Sequence, residues 1–284
     1  MHAGSELVIG SIQRRLNDIV TSNGSTRPIG LIRIALPAIM WAEWGNQLLM
    51  IRNLGAESMI HSAAFFVFTV LMMIGVWSRT TTFISAMVLY YYYYRFGVVL
   101  GEDDIVHHHT YILMISTLLL SFTPCGRSYS FDRYRAVAKA RAAGESPPPE
   151  RGPLWASALM GFQVSMIYFW GAYQKTTLAY MSGYRPQQIV MHHYTGADYP
   201  PFVGFALIML LAGVGTVALE YGLAFGLWVR RLQPYLMPIG LVFHWFIYAT
   251  MPVGSYTVTI CLLYLVYLDP DRVHAFLEEM TARE

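Results

Sequence analysis

The sequence predicts an all-α, polytopic membrane protein of about eight transmembrane helices in a single bundle. Three observations carry this. Of 284 residues, 55% are hydrophobic and only 13% charged, with a mean hydropathy of +0.42. Several apolar runs approach the ~20 residues a helix needs to cross a bilayer. The three basic connectors also all fall on one side of the membrane when eight alternating spans are counted. This composition excludes a soluble globular domain. A net charge of +2 says little about partners, and no basic patch with interleaved aromatics points to nucleic acid.

Residues 1–30 read as an N-terminal cytoplasmic or interfacial segment. Leu7, Ile9, Ile12, Leu16 and Val20 approximate a helical stripe, which suits a helix on the membrane surface or a polar tail. Residues 31–270 form the membrane domain, with spans expected at 31–51, 62–78, 82–100, 107–123, 154–180, 202–229, 235–250 and 253–268. The first span is expected to serve as its own insertion signal. Tyr90–Tyr94 reads as an aromatic belt or a packing face. The connector 125–153 holds six arginines and lysines, a short helix over Phe131–Ala143 and an extended Ser146–Pro149 run. Arg79, Arg230 and Arg231 mark two further basic connectors, whereas Glu102, Asp103 and Asp104 mark an acidic one. The positive-inside bias then puts both termini in the cytoplasm. Residues 271–284 read as a cytoplasmic tail. Cys125 and Cys261 do not suggest a disulfide framework.

Ionisable side chains inside apolar spans are costly and mark function by default. Glu43, Arg95, His109 and Lys175 come from four spans, yet all fall in the outer half of the bilayer on this count. They point to one polar cavity open to the outer face. Lys175 has Gly171 one turn back and Tyr168 two turns back, leaving room beside the amine for a flat ligand. His192 and His193 lie in the outer loop. Glu220 and His244 sit elsewhere, Glu220 in the inner half of its span; pairing with each other or with Arg33 would make them structural or supporting residues. Snorkelling of Arg95 and Lys175 to the headgroups, or a structural Glu43–Arg95 ion pair, are the plainer readings. His107, His108 and His109 are consecutive, so they point to different helix faces and cannot together hold one metal ion.

Several stretches resemble the horizontally transferred transmembrane (HTTM) domain, the membrane domain of vitamin K-dependent gamma-glutamyl carboxylases and their bacterial relatives. They are His108–Ser121, the following Pro124–Arg133, Tyr168–Gly183, Glu220 in its apolar run before Arg230-Arg231, and His244 in Leu241–Phe246. The resemblance covers roughly residues 30–270. It implies a reduced quinone, vitamin K hydroquinone or menaquinol, with O2 and CO2 as co-substrates and no metal. It implies Lys175 as the base that deprotonates the quinol, which requires an uncharged amine, and His109 as a hydrogen-bonding partner of the quinol oxygen. His108, Arg95, Glu43, Tyr168, Gly171 and Tyr111 would line the substrate and cofactor site. His108 stands where the family pattern has asparagine, and the tryptophan expected after the lysine is replaced near Tyr180. Short outer connectors suit a small peptide or a partner protein as the source of substrate recognition, within membrane lipid. Two other classes remain at this point: a non-catalytic quinone- or lipid-binding subunit, and a small-molecule transporter.

Overall fold

The computed structural model describes residues 21–49, 55–192, 196, 200, 202–251 and 253–282. The N-terminal stripe and His193 lie outside them. Among the described residues the protein is all-α with one small two-stranded sheet. Each of the eight expected segments holds a helix. Two helices among the described residues, Ala56–Ile74 and Phe205–Gly226, are long and apolar enough to cross a membrane. The residues group into two compact units, Met1–Gly161 with Phe246–Glu284, and Phe162–Trp245.

In the first unit, α1 (Arg27–Leu49) follows strand β1 (Asn23–Ser25). Pro28 sits in its first turn, where the missing N–H costs nothing. Helix α2 (Ala56–Ile74) stops at Gly75, whose φ of 79° is left-handed and whose N–H caps Leu71 O at 2.9 Å. A side chain there would also collide with Ser130 and with the Arg33 guanidinium. Helix α3 (Ser78–Tyr91) runs on into a π-helical stretch, Tyr92–Val99, and α4 (His108–Ser121) packs along α3.

The α3–α4 pair is built on small hydroxyl residues. Thr82 Oγ1 donates to Ser78 O at 2.6 Å, Ser85 Oγ to Thr81 O at 2.8 Å and Thr117 Oγ1 to Leu113 O at 2.6 Å. In lipid, helices gain little from hydrophobic association, so small side chains that satisfy themselves and allow close approach take that role.

Arg33 is fully buried, and its guanidinium donates to four carbonyls: Cys125 (3.1 Å), Met72 (2.5 Å), Met73 (2.7 Å) and Tyr129 (2.5 Å). Two of these are C-terminal carbonyls of α2, of which Met72 O also accepts the Gly75 N–H at 3.1 Å. The expected pairing of Arg33 with Glu220 or His244 is therefore corrected, because backbone carbonyls take up its donors. The segment Pro124–Arg133 completes the same junction. Asp132 accepts from the backbone N–H of Trp77 (3.0 Å) and of Ser78 (2.7 Å), capping the start of α3 from a distant part of the chain. Cys125 and Cys261 are both free thiols.

The expected helix in the connector is α5 (Phe131–Ala142), with Ser130 as its N-cap. Strand β2 (Arg151–Pro153) pairs antiparallel with β1, a contact three residues long that leaves no alternating pattern to read. The C-terminal segment forms a helix, labelled α12 below (Pro270–Thr281), with Asp269 as N-cap and proline at its first position. Arg151 forks onto Asp271 at 2.6 and 3.0 Å, and the Ser25 N–H reaches the same carboxylate at 3.2 Å.

These hydrogen bonds, Arg151's first among them, hold the Asp271 carboxyl below the usual carboxylate range. A depressed carboxylate stabilises the fold above its unfolded value of about 3.9, and the contribution disappears as pH falls through the folded value. Thermal unfolding between about pH 6 and pH 3 should therefore show wild type losing its advantage over Asp271→Asn. Both side chains are half exposed, so the advantage at neutral pH should stay under about 1 kcal/mol. Parallel pH curves for the two proteins would remove Asp271 as the titrating group.

The rest of the first unit comes from α11 (Tyr256–Leu263) with a 3-10 turn at Tyr264–Val266, and from α12. In the second unit, most of α6 (Trp155–Lys175) leads into two short helices, α7 (Leu178–Met181) and α8 (Tyr184–Val190). These lie along the first half of α9 (Phe205–Gly226). Tyr180 O rests against Gly213, and Gly183 against the Leu210 backbone, so neither glycine has room for a side chain. Helix α10 (Gln233–Thr250) begins in this unit.

Candidate functional site

The expected span 154–180 ends its main helix at Lys175, five residues early. Thr177 then takes extended dihedrals and caps α7 through its side chain. The lysine thus stands at a helix C-terminus, where a cation is favoured and free carbonyls are available. Its Nζ donates to Glu220 Oε1 at 2.8 Å, to Oε2 at 3.0 Å and to Gly171 O at 3.3 Å. Lys175 and Glu220 therefore share one level, which corrects the reading that set them in different halves of the bilayer. The count from span ends assumed that the lysine helix continued to 180; the break at 176–177 brings Lys175 to the level of Glu220.

The pair is asymmetric. The Glu220 side chain is 8% exposed and that of Lys175 is 31%. Gly171 leaves the near side of the pair bare: a Cβ there would stand 3.4 Å from both carboxylate oxygens and from Nζ. Flat rings surround the pair's helices. Phe169 and Tyr173 stack at 6.4 Å, Phe169 meets Tyr221 edge-on at 5.9 Å, and the Tyr221 hydroxyl lies 3.2 Å from Thr176 Oγ1. On the same unit, Tyr168 and His244 share a hydrogen bond of 2.5 Å between Oη and Nε2, both buried. His244 therefore turns to Tyr168 rather than to Glu220. An amine with an exposed side and a carboxylate beside it offer a donor and an acceptor that fit a quinol's hydroxyl groups.

The second constellation belongs to the first unit. Glu43 Oε1 lies 3.2 Å from His109 Nε2, and Oε2 accepts the Ser255 N–H at 2.9 Å. Ser255 precedes α11, so the carboxylate also caps that helix. Gly254 has a φ of 50°, and a Cβ there would stand 3.0 Å from Glu43 Oε1. His107 stacks on His109 with centroids 5.3 Å apart. His108 is exposed, as is Tyr111 at 50%. Consecutive helix positions rotate by about 100°, so these two turn away from the face that holds His109.

Arg95 joins neither constellation. Its Nε and Nη2 fork onto Glu57 at 2.7 and 3.1 Å, which corrects the alternative of a Glu43–Arg95 pair. Glu57 and its neighbour His61 were missed because the second span was expected to start at 62, whereas α2 begins at Ala56. The i, i+4 spacing of Glu57 and His61 was the available signal. Gly254 and Ser255 act through backbone and left none.

A family model described as the HTTM domain matches residues 47–272. The chain belongs to the HTTM domain family. This family is related to the membrane domain of vitamin K-dependent carboxylases. With the two spanning-length helices, membership makes the chain a membrane protein. No curated protein and no solved structure matches it. His109, Lys175, Glu220 and His244 fall within the matched HTTM region, and Glu43 lies just before it.

Proposed function

We propose that this HTTM protein is a membrane-embedded enzyme that uses a reduced quinone, vitamin K hydroquinone or menaquinol, with Lys175 as the base. The supporting observation is the Lys175–Glu220 pair, open at the amine and closed at the carboxylate. Bound reduced quinone supplies, on oxidation by O2, a base strong enough to remove a weakly acidic proton from a peptide or small substrate, to which CO2 then adds. Lys175 and Glu220 would hold its hydroxyl end, beside the bare backbone of Gly171. An amine that accepts a proton beside the Glu220 carboxylate ends in an ion pair of no net charge, the form a water-poor site tolerates best. The exposed side of the amine is the route by which that proton leaves between turnovers. Glu43 orients His109 and is the acceptor for any proton the imidazole passes on. An eight-span fold with cytoplasmic termini and the site toward the outer face completes the proposal.

The same pair also favours a second reading. Nζ is already satisfied by two carboxylate oxygens and a carbonyl, as in a purely structural ion pair of a non-catalytic quinone- or lipid-binding subunit. Epoxide formation from reduced menaquinone or vitamin K under air, with labelled CO2 incorporation as a separate readout, tests the first reading. Lys175→Arg separates the two.

A further inference from the structure

A groove of about 420 Å³ runs between the start of α2 and the end of α3. Its volume lies within the range of small-molecule sites. Ile60 and Ala64, one turn apart on α2, form one wall; Ile84, Met87 and Val88 on α3 form the other. Ile60 is 70% exposed although it belongs to a helix of spanning length. His61 closes the floor: it is buried, its Nε2 lies 3.2 Å from Val88 O, and its ring stacks on Tyr92 at 5.3 Å. One end of the groove is polar. There Glu57, in the first turn of α2, accepts from Arg95 Nε and Nη2 and from the Tyr91 hydroxyl. An apolar slot about 10 Å long from position 57 to 64, ending in charge where a spanning helix ends, has the polarity of a lipid.

We infer that this groove is a binding site for a zwitterionic phospholipid whose headgroup carries a primary ammonium. The acyl chain lies between Ile60 and Met87, and the headgroup sits on the Glu57–Arg95 pair. Charge complementarity selects this occupant. Arg95 commits two of its five N–H groups to Glu57, leaving capacity for a phosphate. Glu57 receives three donors against about four acceptor positions, leaving one for an N–H of the ammonium. Phosphate and ammonium of one headgroup thus meet opposite charges side by side. A choline headgroup has no N–H to offer Glu57. An anionic headgroup without an amine leaves the carboxylate opposed to like charge.

The test is native mass spectrometry of the delipidated full chain, reconstituted with equal amounts of ethanolamine, choline and glycerol phospholipids of identical acyl chains plus menaquinone. The expected result is a retained lipid adduct enriched about tenfold in the ethanolamine lipid, the scale of a charge-assisted hydrogen bond. Glu57→Gln should keep an adduct and lose the headgroup preference. Ala64→Trp and, as an independent filling of the groove, Met87→Trp at a 39% exposed position should each remove the adduct without changing the circular dichroism spectrum. The inference is overturned by equal retention of all three lipids. An adduct that survives in a folded tryptophan variant overturns it equally, as does menaquinone in place of phospholipid in the slot the tryptophans close.

Discussion

Lys175→Arg is expected to fold like wild type and to form quinone epoxide about 10²- to 10⁴-fold more slowly, the range of a lost general base. The guanidinium keeps a positive charge opposite Glu220 and can fork onto both carboxylate oxygens, now contacted at 2.8 and 3.0 Å. It cannot give up its proton to become a base. Structure and chemistry are therefore separated within one substitution. Lys175→Ala should be equally inactive, and it also strands the Glu220 carboxylate in a site where only 8% of its side chain is exposed. Its loss of stability makes it the weaker test. Epoxide formation at the wild-type rate by the arginine variant would assign the pair to structure and sink the proposed role of Lys175.

The largest stability effect is expected at Arg33. Alanine there removes the donor to four carbonyls at once, two at the C-terminus of α2 and two in the segment after α4. Met72 O keeps the Gly75 N–H, and each of the other three carbonyls left without a partner costs about 1–3 kcal/mol, so a loss above about 3 kcal/mol is expected. Lysine should rescue only part of it, because one ammonium with three donors replaces a planar fork that spans separate carbonyls. Equilibrium unfolding in mixed micelles measures the difference. An alanine variant within about 1 kcal/mol of wild type would mean that these carbonyls find other donors and that the junction does not depend on the clamp.

The helical segments were legible because long apolar runs with breaks at glycine, proline and charge leave a strong signal. The family resemblance singled out Lys175, His109, Glu220 and His244 on the same basis of motif order. What went unread was local and short. The end of α6 at Lys175 depends on Thr177 adopting an extended conformation, which no run of hydropathy reveals. The strands β1 and β2 are three residues each. Helix α12 carried its signal in Asp269-Pro270, an N-cap followed by proline.

The partners of the charged residues could not be read at all. Depth in a membrane is inferred from span ends, and an error of five residues in one end moves a side chain by about 7 Å along its helix. That distance separates an ion pair from no contact. Hence Arg95 went to Glu57, Glu43 to His109, and Arg33 to backbone carbonyls. By itself the sequence determined that the chain is an all-helical HTTM membrane protein and that Lys175 is a costly charge in need of a reason. Only the tertiary structure decided what answers that charge. A helix break sets its level, Gly171 keeps its near side open, and Glu220, 45 residues away along the chain, supplies the opposite charge.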